Sequence, residues 1–341
     1  MAPMLGETHW LPVIRNHRGY SFPRIRCIPA RMGNLLDKRL IFVTGKGGVG
    51  KSTVAAALGM VAARQGRRTI VVEVAHQDRI ARAFHGEDSH FAEVEIADGL
   101  WTISIDPKHA LEEYLRMQVR VNALADLLSG SRMFQYFAVA TPGMSELVTM
   151  GKIWELAQMQ RRTRGASRYD LVIVDAPATG HGLAIMRTPL TFANVARVGP
   201  IAQQGRAIHE TIVDARHTGV IAVALPEEMP VNETLLLRDE LRRELGLGLD
   251  RVVVNALYPE RFGPRQAGTL GRALETAGTP VQRAALRAAL SEHRRARGQR
   301  EQVARLEEAT GREPAKLPFV FEPEIGPDQF ESLSRELEVA L

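Results

Sequence analysis

Residues 39–53, R-L-I-F-V-T-G-K-G-G-V-G-K-S-T, constrain the fold of this chain more than any other stretch. The apolar run at 40–43 suits a buried strand, a glycine-rich turn fills 45–50, and Lys51, Ser52 and Thr53 open an alanine-rich run with helical character. Strand, G-x-x-x-x-G-K-S and helix, in that order, make a phosphate-binding loop. The glycines let the backbone curl so that N–H groups of Gly45, Lys46, Gly47, Gly48, Val49 and Gly50 turn toward phosphate oxygens. The helix N-terminus adds its positive end. In such a loop Lys51 reaches the β- and γ-phosphates and the Ser52 hydroxyl ligates Mg²⁺, with Thr53 beside it. ATP and Mg²⁺ are the expected ligands.

The rest of the chain is patterned to support that loop. Thr69–Val74 is a β-branched run fit for a buried parallel strand, L-W-T-I-S-I at 100–105 reads as another, and L-V-I-V at 171–174 ends on Asp175. Further strands are expected at 220–224, 251–255 and 317–321. Helical stretches are expected near 80–84, 187–216, 232–245 and 263–312, with Asp328 capping a terminal helix. Between 107 and 167 no strand signal appears, and two or three amphipathic helices fit there, more than one crossover needs. The reading is an α/β fold: a doubly wound, mostly parallel sheet with a phosphate loop and a helical insertion at about 107–167.

Residues 1–36 differ in kind. They mix arginines and prolines without periodicity or a continuous apolar core, so a disordered N-terminal extension is expected before a single domain at 37–341. Met32 makes a natural alternative start just before the first strand. With 341 residues the chain can bury a full core, and its charge of +5 is spread along the whole length. Scattered arginines fit solvated helix faces better than a nucleic-acid footprint; in particular Arg294, Arg295, Arg297 and Arg300 are interleaved with Glu292, Glu301, Glu307 and Glu308. Cys27 is the sole cysteine, which rules out an intrachain disulfide or a multi-cysteine zinc site and fits a reducing, cytoplasmic setting. No apolar run approaches bilayer length.

Ligands of open α/β sheets bind beyond the carboxyl ends of the strands. Asp175 ends its strand where a phosphate-loop NTPase places a carboxylate supporting Mg²⁺. A-P-A-T-G-H-G at 176–182 then suits a loop that rearranges with the γ-phosphate, and His181 within it is a sensor or a structural residue.

The loop with its extra lysine, G-K-G-G-V-G-K-S-T, together with D-A-P-A-T-G-H-G-L, resembles the ArsA/GET-type ATPases over about 38–341, notably a bacterial ArsA-like branch. That family covers arsenite-pump ATPases and tail-anchored-protein targeting factors. The resemblance implies a nucleotide-driven dimer in which Lys46 crosses to the partner's phosphates. It also implies that Asn255 contacts adenine and that the segment 318–325, with Pro323 and Ile325, covers the base. A homodimer or a heterodimer with a paralogous ATPase is implied, as is a membrane or membrane-protein partner.

Two departures from the pattern matter. The family's switch after the second strand carries S-T-D-P-A-H or D-x-D-P-Q, whose carboxylate polarises the attacking water; this chain has V-E-V-A-H-Q-D, with Ala75 at the matching position. Glu73 or Asp78 would then have to substitute, and placement within hydrogen-bond reach decides whether either does. The cysteines used for arsenite or bridging zinc are missing as well. The readings are an ATP hydrolase whose dimer opens and closes, a hydrolysis-poor ATP-gated subunit, or a targeting chaperone for hydrophobic helices. For the last, Met117, Met133, Met144, Met150 and Met159 fall in the insertion, where core packing is the stronger expectation.

Overall fold

A computed structural model describes residues 35–74, 78–118, 142–163 and 165–341. The strands are β1 (Leu40–Gly45), β2 (Thr69–Val74), β3 (Val94–Ala97), β4 (Leu100–Ile105), β5 (Leu171–Asp175), β6 (Thr218–Ala224), β7 (Arg251–Leu257) and β8 (Ala315–Pro318). They form one sheet in the order β3-β4-β2-β5-β1-β6-β7-β8, with β1 between β5 and β6. Neighbours run parallel except β3, which is antiparallel to β4 at the edge.

The helices are α1 (Lys51–Arg64), α2 (Arg79–His85), α3 (Pro107–Gln118), α4 (Met144–Leu156), α5 (Thr179–Ala196), α6 (Pro200–Val213), α7 (Glu228–Leu245), α8 (Pro264–Thr276), α9 (Pro280–Thr310) and α10 (Pro327–Ala340). Alternation along β1 assigns the two faces. Leu40 and Phe42 join a core with Met150 and Ile153 of α4, Ile208 of α6 and Leu237 of α7. Ile41 and Val43 join a second core with α1, Ile80 of α2 and Phe330, Leu333 and Leu337 of α10. Burial on both faces is why the central strands read as unbroken apolar runs. The doubly wound α/β expectation is borne out.

Several local expectations are corrected. Leu35–Asp37 is a short 3-10 turn with Leu36 buried, so the folded domain begins before residue 37. A loop was expected at 176–182, but α5 already starts at Thr179. The last strand stops at Pro318, and 263–312 divides into α8 and α9. Gly326, not Asp328, is the N-cap of α10. Edge strand β3 was not anticipated. Of the insertion, α3 and α4 are described; Met133 and the other positions of 119–141 lie outside the described residues, as do 1–34. Met150 is fully buried in the core while Met159 is exposed.

Arg161 ties the insertion to the sheet edge. Its guanidinium binds Glu93 at 2.7 Å and Glu155 of α4 at 2.9 Å, and Lys152 of α4 binds Glu113 of α3 at 2.8 Å. Tyr169 donates to Glu93 at 2.7 Å, closing the network against β5.

Candidate functional site

The phosphate loop leaves β1 between two strands that crowd it. Gly45 has φ 151, and a Cβ there would lie 2.2 Å from the carbonyl oxygen of Val223 in β6. Gly50 has φ 89, and its Cβ would lie 2.2 Å from Nδ2 of Asn255. Both a left-handed backbone and a lack of space therefore demand glycine at these two positions. Asn255 donates from Nδ2 to the Val49 carbonyl at 3.0 Å, so β7 braces the loop from the side. Lys51 folds back and donates to the Lys46 carbonyl at 2.9 Å, closing the loop on itself.

Ser52 opens α1 and donates from Oγ to Oδ2 of Asp175 at 2.5 Å. The other carboxylate oxygen, Oδ1, is buried and has no hydrogen-bond partner among the described residues. A buried acceptor without a donor costs free energy. Burial pushes the Asp175 carboxyl above the usual range, while Ser52, Lys51 and Arg79 pull it back. A hydroxyl and a carboxylate at the end of β5 are hard oxygen donors of the kind Mg²⁺ takes, and the orphaned Oδ1 is the position a cation would satisfy. The residues present fit that ion.

A cavity of about 480 Å³ opens over the loop. Gly47, Gly48, Gly50, Lys51, Ser52 and Thr53 form its floor, and Asp175 through Ala178 one wall. Val74 of β2, Arg79, Ile80 and Ala83 of α2, and Ile325 with Phe330 of the C-terminal region complete it. Burial also pulls the Lys51 ammonium below its ordinary range, with Asp175 opposing and Arg79 adding to that direction.

The remaining sequence-derived candidates are placed less uniformly. Glu73 is buried in β2, opposite Asp175 in the β2–β5 pairing. Its two oxygens accept the backbone N–H groups of Arg79 and Ile80 at 2.9 and 3.1 Å, and burial pushes its pKa up to about 7. Asp78 is buried with φ 41, and its Oδ1 accepts from the backbone and hydroxyl of Ser89 at 2.9 and 2.5 Å. Neither carboxylate belongs to the cavity wall. Ala75 lies outside the described residues. Lys46 pairs with Glu233 of α7 at 3.0 Å. Ile325 borders the cavity, whereas Asn255 and Pro323 do not. His181 is exposed in the first turn of α5.

Arg79 and Glu233 were not found from sequence. A cation four residues beyond the expected switch carboxylate carries no motif, and Glu233 reads as one more surface charge on an amphipathic helix.

Phosphate loop, hydroxyl–carboxylate pair and parallel sheet together define a P-loop nucleotide-binding α/β protein. The chain belongs to the anion-transporting ATPase family, whose model matches residues 38–204 and 193–267. The expected reach to residue 341 exceeds that match. Sequence comparison gives 30% identity over 242 residues with ATPase BagA of Mycobacterium tuberculosis, covering 70% of this chain and 69% of the relative. A putative arsenical pump-driving ATPase of Halobacterium salinarum is 29% identical over 239 residues, which are 67% of this chain but 37% of that protein. ATPase GET3 of Chaetomium globosum is 26% identical over 265 residues, 66% of this chain and 75% of the relative. The chain is thus an ATP-binding ATPase of the ArsA/GET type. Among the described residues no helix is long and apolar enough to cross a membrane.

Proposed function

We propose that the chain is a Mg²⁺-dependent ATP hydrolase that works as a nucleotide-gated dimer. The observation that carries the reading is the Ser52–Asp175 pair at 2.5 Å, with Oδ1 of Asp175 left without a partner among the described residues beside the phosphate loop. Ser52 and Asp175 would hold Mg²⁺ there, which would supply charge neutralisation at the phosphates. The loop backbone would bind the phosphates, Lys51 would release its Lys46 carbonyl to meet them, and Asp175 with Ser52 would hold the cation. Asn255 keeps the loop in shape, and the 318–325 segment, through Ile325, would border the nucleotide. Lys46 is half-exposed and poised at the loop's outer edge, from which a partner's phosphates are within reach if a second copy or a paralogue docks there. Charge placed at the γ-phosphate by such a lysine acts only where charge develops.

Steady-state ATP turnover and light-scattering mass with and without ATP test this reading. Wild type should associate with ATP, and Lys46→Ala should retain nucleotide while losing on the order of 10²-fold in turnover. Unchanged turnover and mass in Lys46→Ala would overturn the trans role.

The placement of Glu73 and Asp78 favours a second reading, slow or partner-dependent hydrolysis. Each carboxylate is already committed to backbone or hydroxyl donors and lies outside the cavity wall. Orienting water needs a free acceptor within reach. On this reading the chain is an ATP-gated subunit whose turnover rises on mixing with a paralogous ATPase; a brisk rate in isolation that neither Glu73→Gln nor Asp78→Asn lowers contradicts it.

A further inference from the structure

The segment after β2 brings a cation, not a free carboxylate, to the nucleotide cavity. Arg79 lines the cavity with Lys51, Ser52 and Asp175. Among the described residues its guanidinium has no hydrogen bond or ion pair, whereas the neighbouring Arg82 is held by Asp88. Arg79 also acts electrostatically on the two groups at the heart of the site: it adds to the effect of burial in pulling the Lys51 ammonium down, and it opposes the larger effect of burial that pushes the Asp175 carboxyl up. Two cations facing one cavity repel unless an anion lies between them, and a guanidinium fork suits phosphate oxygens.

The backbone holding Arg79 is fixed independently. Its N–H donates to Oε1 of Glu73 at 2.9 Å, and the next N–H, of Ile80, donates to Oε2 at 3.1 Å. Glu73 stands opposite Asp175 in the strand pairing, so the Arg79 backbone is referenced to the same strand ends that carry the Ser52–Asp175 pair. That geometry gives Glu73 a role other than base chemistry. It anchors the start of α2.

We propose that Arg79 is a phosphate-contacting residue of the ATP site, supplied from the same chain and aimed at the terminal phosphates, with Glu73 as its positioning residue. The proposal rests on the reading of the cavity as an ATP site. Arg79 lines the same cavity as Lys51 and Asp175 and acts electrostatically on both, the residues that would meet the terminal phosphate and its cation, so its contribution should fall on ATP more than on ADP. The chain then adds charge stabilisation at the terminal phosphates, a contribution the reaction uses that is separate from a carboxylate's hold on the attacking water.

The test is fluorescent-nucleotide binding and single-turnover hydrolysis on the full chain with Mg²⁺, for wild type, Arg79→Gln, Arg79→Lys, Glu73→Gln and Lys51→Ala. Arg79→Gln should weaken a non-hydrolysable ATP analogue about tenfold while changing ADP little, and should slow hydrolysis on the order of 10²-fold. Arg79→Lys should restore much of the ATP preference through its charge, which a merely structural role would not do. Glu73→Gln should show the Arg79→Gln pattern in milder form. If Arg79→Gln matches wild type in both assays while Lys51→Ala loses ATP, Arg79 has no phosphate role and the ATP site stands. If Lys51→Ala also binds ATP as wild type, the ATP site reading fails and this inference with it.

Discussion

Lys46 and Glu233 form a 3.0 Å ion pair in which each side chain is 32% exposed, so the extra lysine of the phosphate loop is held within its own chain. The Glu233 carboxylate also lies 3.5 Å from Oγ1 of Thr179, at the start of α5. One carboxylate thus faces both the loop and the helix that follows Asp175. A half-exposed pair of this kind contributes at most about 1 kcal/mol, enough to bias Lys46 without locking it. Glu233→Gln should therefore lower the concentration of ATP analogue needed for self-association by up to about fivefold, read by light scattering across a titration. A rise in that concentration would mean that Glu233 sets Lys46 in its working position; no change would reduce the pair to surface decoration.

Glu73 should leave a signature in the pH dependence of stability. Burial raises its folded pKa to about 7, against about 4.3 in an unfolded chain. Between those values the folded state holds a proton that the unfolded state has released, so this group's contribution to stability falls as pH rises through the window. The full decline is worth up to about 4 kcal/mol. Urea unfolding without nucleotide at pH 5 and pH 7.5 reads it. Glu73→Gln should gain stability relative to wild type between the two pH values, and a constant difference would contradict the assignment.

The central strands were legible because nothing else explains runs such as those of β1, β2 and β5: with helices on both faces, successive positions are apolar apart from Thr44, Thr69, Glu73 and Asp175. β3 was not, because Val94 and Glu95 at the sheet edge are only partly covered or exposed and leave no periodic mark. The stretch 179–182 looked like a loop for its glycines. Helix prevails there, and Gly182 brings α5 close to β1, since a Cβ would lie 3.0 Å from Oγ1 of Thr44. The loop, Ser52 and Asp175 announce themselves because spacing alone defines them. Glu73 and Asp78 do not: which donors a carboxylate accepts depends on a backbone turn six residues away or on Ser89, eleven residues on. Lys46 stands out as a second lysine in the loop, but its Glu233 partner lies far along the chain in α7 and no pattern links them.

Arg161 should be the most sensitive position outside the nucleotide site. Its side chain is 2% exposed and binds both Glu93 and Glu155, the latter 3% exposed. Burial alone would raise the Glu155 carboxyl, but Arg161, Lys152 and the Thr163 backbone N–H together outweigh it and hold Glu155 below its ordinary range. Removing the guanidinium takes the closest cation from two carboxylates at once, leaving Glu93 with Tyr169 and Glu155 with Lys152 and the Thr163 N–H, a loss of about 3 kcal/mol. Urea unfolding of Arg161→Ala should show that loss, and Glu155→Gln in the Arg161→Ala background should recover part of it. Independent, additive effects would mean that the network is less connected than its distances indicate.

Asn255 and Gly50 make a paired prediction about the loop itself. Asn255→Ala leaves the Val49 carbonyl short of its 3.0 Å donor, at a cost of about 1 kcal/mol, and should weaken ATP and ADP alike because it acts on the shape of the loop. Gly50→Ala is the harsher change. It meets both an unfavourable φ of 89 and a side-chain nitrogen 2.2 Å from the new Cβ, and should cost at least tenfold in nucleotide affinity. Removing Asn255 clears the collision but leaves the backbone strain. Gly50→Ala should therefore cost less in the Asn255→Ala background than alone, and a double-mutant cycle on ADP affinity measures the difference. Strict additivity would show that the two residues do not meet, and that the loop takes its shape from the strand ends alone.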